Sequence, residues 1–142
     1  MTTTTERNKQ IARRYLLDVW GEYDFEAEKE LVAEDVVDHN AIPDLPPGRE
    51  GHNKFLRICQ AALPEIEVTI EELLAEGDRV AYGWTARGTS EGPFLGIAPT
   101  GKEVTITGTD IVRIENGKIA EMWHVEENLG LMRQLGAAPP PA

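Results

Sequence analysis

Residues 104–125 read VTITGTDIVRIENGKIAEMWHV, and their alternation decides the fold. Val104, Ile106, Gly108, Asp110, Val112 and Ile114 recur at every second residue, which puts them on one face of a strand. Asn116-Gly117 is a two-residue hairpin signal, because a tight turn there needs the left-handed backbone that Asn and Gly adopt at little cost. The chain from Lys118 to about Val125 therefore returns as the neighbouring strand. Upstream, Val80, Tyr82, Trp84 and Ala86 line one face of a strand within 79–89. Ile66, Val68 and Ile70 alternate with Glu65, Glu67, Thr69 and Glu71 in another. Glu76-Gly77-Asp78 turns between these two, and the Gly- and Pro-rich crossing SEGPFLGIAPTGK leads to the third.

Before Pro64 the spacing is helical. Ile11, Tyr15, Val19 and Leu16, Trp20 mark a helix over Glu6–Trp20, with Gly21 as its end. Asp24 can cap a second helix, FEAEKELVA, whose apolar contacts are Phe25, Leu31 and Val32. Val36 to Asn40 reads as a short strand. The loop AIPDLPPGREG then leads into a third helix carrying Phe55, Leu56, Ile58, Ala62 and Leu63. Helices first and strands after, each with one apolar face, predict an α+β domain. In it a curved, cone-shaped antiparallel sheet packs on three N-terminal helices. One domain spans 1–142, with tails at about 1–5 and 137–142, and the open end of the cone is the expected cavity.

Lys plus Arg number 14 against 25 Asp plus Glu, a net charge of −11. That balance speaks against nucleic acid and anionic membrane surfaces, which recruit clustered basic residues. One cysteine, Cys59, rules out an intrachain disulfide, and its helical spacing from Phe55 and Ala62 reads as a small buried hydrophobe. MTTTTERNKQ contains no apolar run, so a cytoplasmic protein without a secretory signal is expected.

Asp110 is the most informative residue. The pleat aims its carboxylate into an apolar face, where burial raises a carboxyl pKa unless cations or donors oppose it. It is a site candidate, or else an anchor for a loop or helix end. Gly108 beside it leaves room for a ligand or a bulge. A strict count from the turn pairs Ile114 with Ile119 and sets Asp110 opposite Trp123; one bulge would bring His124 onto Asp110's face instead. An Asp–His pair is a common way to orient a general base, and a satisfied interfacial histidine is the bland alternative. Asp38, His39 and Asn40 form a polar cluster at the end of the short strand, suited to ligand contacts or to a turn. Tyr15 lies on the apolar stripe of helix one, where its hydroxyl needs a partner. Trp84 and Trp123 are core aromatics or a ligand platform. His52 follows Gly51 at a helix start and is expected at the surface. No HxxxH-type spacing, phosphate loop, GxSxG elbow or dinucleotide fingerprint occurs, so neither a metal nor a cofactor is expected.

The segments RRYLLDVW, LVAEDVVDHN, LPPGREG, GPFLGIAPTGK and TGTDIVRIENGKIAEMWHVEENLGLMRQLG resemble the SnoaL-like polyketide cyclase family, within the nuclear transport factor 2-like superfamily. The resemblance implies a homodimer, no cofactor, and intramolecular aldol-type ring closure in an aromatic polyketide ester by an acid/base carboxylate. The cyclase carboxylate falls at His124 and its histidine partner at Asp110, so the two residue types are exchanged here. Ketosteroid isomerases of the same superfamily match at Tyr15 and Asp110, but their base carboxylate falls on Asn40, which takes up no proton at neutral pH. Limonene-type epoxide hydrolases need an Arg where this chain has Gly108.

The reading is a cofactor-free acid/base enzyme acting on a small apolar or aromatic carbonyl ligand. His124 would be the general base, Asp110 its orienting partner or a donor to the enolate oxygen, and Tyr15 or Asn40 a second donor. Asp38, His39, Trp84 and Trp123 would contact substrate. A non-catalytic carrier with the same pocket is the alternative, because fold alone does not decide function.

Overall fold

The computed structural model describes residues 2–139. Helix α1 (Thr4–Arg14) begins just after Thr3, whose hydroxyl accepts from the Glu6 N–H while the Glu6 carboxylate accepts from the Thr3 N–H. This reciprocal cap satisfies two free donors and orders residues expected to be tail; Met1 lies outside the described residues. The single helix expected to reach Trp20 is two segments. From Tyr15 to Trp20 the chain widens into a π-helix, closed by a 3.0 Å bond from the Gly21 N–H to the Leu16 carbonyl. A π-turn re-aims side chains relative to uniform helical spacing, and here Tyr15, Leu16 and Val19 are all buried.

Asp24 caps α2 (Phe25–Leu31) as expected, accepting from the N–H groups of Glu26 and Ala27 at 3.1 and 3.0 Å. Strand β1 (Val32–Asp38) begins four residues before the expected Val36. Helix α3 (Gly48–Ala62) begins at Gly48, which becomes important for His52. The meander is β2 (Ile66–Glu76), β3 (Arg79–Thr89), β4 (Glu103–Glu115) and β5 (Lys118–Glu126). The sheet order is β1-β5-β4-β3-β2, with β2 to β5 antiparallel. The expected all-antiparallel sheet is mixed at one edge, where β1 joins β5 in parallel.

A fourth helix, α4 (Asn128–Gln134), was not anticipated. Glu127 caps it through the Gly130 N–H, and Leu131 and Leu135, four residues apart, pack with Ala62, Leu63 and Val104. Of the tail expected over 137–142, residues 140–142 lie outside the described part.

The β4–β5 hairpin carries the decisive detail. Asn116 and Gly117 have φ of 52° and 75°, the left-handed pair that the turn demands. Ile114 pairs with Ile119, but Arg113 pairs with Glu121, so Ala120 is the extra residue of a bulge. The bulge shifts the alternation by one. Ile119 and Met122, three apart, are both buried, and Asp110 pairs with His124 rather than Trp123. Between sheet and helices lies the main core, in which Ala12, Leu16, Val19 and Leu56 meet Val80, Val112 and Met122. Burying each such Val or Leu contributes about 1.5–3 kcal/mol.

Candidate active site

Helices and sheet do not fill the concave face completely. A cavity of about 970 Å³ remains, walled by Trp20, Phe55, Cys59, Val68, Trp84, Ile106 and Leu131 among others. Its polar lining includes Tyr15, Asp38, Asn40, His52, Asp110, His124 and Glu126, and among the described residues no Lys or Arg lines it.

Asp110 enters from the middle of β4. One carboxylate oxygen accepts from the Trp84 indole N–H at 3.1 Å. Burial among apolar side chains pushes its pKa up to about 6, partly offset by the Trp84 N–H and the nearby Tyr82 hydroxyl. Tyr82, its cross-strand neighbour, is buried, and its hydroxyl makes no hydrogen bond of ordinary geometry. The space beside Asp110 is not left for a ligand, as Gly108 had suggested. A Cβ there would stand 2.3 Å from the Trp84 ring, so Gly108 admits the indole that reaches Asp110.

His124 is brought onto the same face by the bulge, but its hydrogen bonds go elsewhere. Nε2 meets Asp38 at 2.8 Å and Nδ1 meets Glu126. Burial alone would lower the imidazole pKa; the hydrogen bonds and charges of Asp38 and Glu126 outweigh it and raise the value to about 10. Burial would likewise raise Asp38, yet the bonds from His124 and the Asn40 N–H hold it below the ordinary carboxylate range. His124 is therefore an imidazolium at neutral pH. A proton already held there counts against the general-base role expected for it. Asn40 fixes the end of β1 by accepting from the His124 backbone N–H at 2.9 Å.

Two expected ligand contacts lie on the wrong side of the sheet. His39 stacks on Trp123 at 4.7 Å between ring centroids and pairs with Glu121, while Arg79 sits over the Trp123 ring. Alternation along β1 and the bulge in β5 turn both rings outward, away from the cavity. Trp84, Tyr15, Asp38 and Asn40 do line it.

His52, expected at the surface, has a side chain that is only 6% exposed. Because α3 starts at Gly48, His52 is one turn inside the helix, on the stripe of Phe55, Leu56 and Cys59. Its Nε2 is 2.7 Å from the Tyr15 hydroxyl and its Nδ1 meets the buried Glu28. Burial raises the Tyr15 pKa well above its ordinary value, so the phenol is neutral. Glu28 had a visible signal: it shares the inward stripe of α2 with Ala27 and Leu31. Glu126 had one as well, falling in phase with Met122 and His124. Burial also pushes the Cys59 thiol up to about 12, which makes it inert, as a small buried hydrophobe should be. Among the described residues no trio of His, Cys, Asp or Glu is placed to hold a metal ion.

The structure is thus an α+β fold whose apolar cavity is lined by carboxylates, two imidazoles and a phenol, a lining of the kind found in small-molecule sites. The family model of SnoaL-like polyketide cyclases matches residues 10–135, and the chain belongs to that family. No curated protein matches the chain. TsrD from Streptomyces laurentii is 29% identical, with a TM-score of 0.84 over 92% of this chain and 96% of its own. IdmH, a candidate polyketide cyclase from Streptomyces antibioticus, is 30% identical, with a TM-score of 0.78 over 91% of this chain and 98% of its own. A candidate polyketide cyclase from Bacillus cereus is 29% identical, with a TM-score of 0.83 over 96% and 87% of the two chains. Among the described residues no helix is long and apolar enough to cross a membrane.

Proposed function

We propose that the chain is an acid/base enzyme that removes an acidic C–H proton from a small, largely apolar carbonyl compound, the first step of aldol-type cyclisation. One observation carries the reading: a carboxyl set in the apolar wall of the cavity, steadied by Trp84 on one oxygen, lies cross-strand from an imidazole clamped by two other carboxylates. Asp110, raised to about 6, is a stronger base than an ordinary carboxylate and is still ionised at neutral pH. The fixed positive charge of His124 favours the enolate as it forms, and the Tyr15 hydroxyl donates to its oxygen. Relative to the family pattern the roles follow the carboxylate, not its position.

The reading is tested with 2-tetralone, an aromatic ketone with acidic α-protons, by following their exchange in D₂O by proton NMR. The protein should accelerate the exchange, and Asp110→Asn should reduce that acceleration by about 10²-fold or more. Binding of 2-tetralone without accelerated exchange would favour the carrier instead.

We further propose that two copies associate through the outer face of the sheet. Ile111 and Val125 are 41% and 72% exposed there and flank Trp123, while Val37 on β1 is 48% exposed. An outward apolar strip of this kind suits a self-complementary contact.

A further inference from the structure

Tyr15 is not an isolated phenol. Its hydroxyl rests on His52, whose other nitrogen meets Glu28, and Asn53 holds the second Glu28 oxygen at 2.7 Å. The side chains of Glu28 and His52 are 2% and 6% exposed. A buried carboxylate needs a cation or a proton, and among the described residues His52 is the only basic group within ion-pair distance of Glu28. The indole of Trp20 packs edge-on to the imidazole at 5.9 Å and closes that side. Three chain segments therefore converge to build a carboxylate–imidazole–phenol row that ends in the cavity. This is more polar apparatus than anchoring one tyrosine requires, because burying a charged pair is costly.

We propose that Glu28 and His52 form a proton relay that lets Tyr15 give a proton to, and recover it from, an oxygen bound in the cavity. The inference rests on the acid/base reading above and assigns two residues to it. His52 begins as the imidazolium paired with the Glu28 carboxylate. As Asp110 takes the C–H proton, the electron pair moves into the carbonyl and charge develops on its oxygen. Tyr15 passes its hydroxyl proton to that oxygen, and the Nε2 proton of His52 moves onto the Tyr15 oxygen. The products are a neutral enol, a protonated Asp110 and a neutral His52 whose Nδ1–H still bonds Glu28. When the enol carbon takes its new bond, either to the Asp110 proton or to a second carbonyl carbon whose oxygen takes that proton, the enol O–H proton returns through Tyr15 to His52 and Asp110 is again a carboxylate. Tyr15 touches the substrate, whereas His52 and Glu28 act through it as positioning residues. The phenol never has to become a free phenolate, which its burial forbids.

The test uses the whole protein labelled with ¹⁵N-histidine. At neutral pH the relay predicts that both ring nitrogens of His52 carry protons, and that Glu28→Gln removes one while His39 and His124 keep their signals. A singly protonated His52 in the unaltered protein would overturn the proposal, whether or not the variant folds. In the 2-tetralone assay, Tyr15→Phe and His52→Gln should each lower the maximal exchange rate by about 10- to 100-fold with KM within about twofold. The double variant should be no slower than either single one, because members of one relay fail together. Losses that multiply, or a His52→Gln protein as fast as the unaltered one, would contradict it. The ring-nitrogen spectrum needs no substrate, so it decides the relay even where exchange fails and takes the acid/base reading with it.

Discussion

Asp110 is a residue whose usefulness conflicts with stability. Its folded pKa, about 6, lies above the ordinary carboxyl value, so the folded state holds the proton more tightly than the unfolded chain does. That contribution is full below the ordinary value and is lost as pH rises through 6, after which a buried charge weighs against folding. Asp110→Asn keeps the shape and the Trp84 bond without the charge. It should raise stability above pH 6 by up to ~2–3 kcal/mol while turnover falls; denaturant titrations should show the gain growing as pH rises from below the ordinary carboxyl value through 6, and level above that. Gly108→Ala should instead lower stability. Its methyl would press on the Trp84 ring at 2.3 Å, costing ~1–3 kcal/mol in thermal unfolding and displacing the donor that steadies Asp110. Asp110 was legible because a charge in an apolar period-two stripe is conspicuous. The charge state of His124 was not, because it depends on Asp38, 86 residues away. The role of Gly108 depended on an indole from another strand, which spacing along one strand cannot reveal.

Among the elements, boundaries and irregularities separate expectation from structure. The strands near 66–72, 79–89, 102–115 and 118–126 were legible because one buried face imposes strict alternation. The bulge at Ala120 was foreseen only as a possibility, since nothing in KIAEMWHV marks which residue is extra. Ile119 fits the core in one phase of the strand, and Met122 and His124 fit it in the other. Deleting Ala120 should therefore be tolerated, because Ile119 and Met122 would then stand two residues apart and share the inward face by plain alternation. Replacing the bulge by an ordinary pair keeps Ile114 opposite Ile119 and Arg113 opposite Glu121, so Asp110 should still pair with His124. Thermal unfolding and the His124 ring-nitrogen signals should change little; altered signals with a loss of ~1.5–3 kcal/mol, the scale of one core side chain turned outward, would contradict this register. His52 was misplaced for a related reason. Taking Gly51 as the helix start put it in a cap, and moving the start to Gly48 puts it one turn in, facing the cavity.

At the scale of the molecule, the fold class, element order and cavity followed from the switch in period at Pro64, while the assembly and the chemistry remain to be measured. The outer strip around Ile111, Trp123 and Val125 predicts a dimer, so light scattering at micromolar concentration should give about twice 15.7 kDa. Val125→Glu should shift it to the monomer, since two like charges would then face each other across a symmetric contact. A monomeric unaltered chain would leave the strip without a partner copy. The cavity's polar wall sets two limits on the reaction, and one measurement reads both: the pH dependence of 2-tetralone exchange. With Asp110 as base and His124 as a fixed cation, the rate should rise through about pH 6, stay level, and fall as His124 loses its proton near pH 10. In Asp110→Asn the rise near pH 6 should vanish along with most of the rate. A rise that survives in Asp110→Asn and disappears in His124→Gln would make the histidine the base and contradict the account.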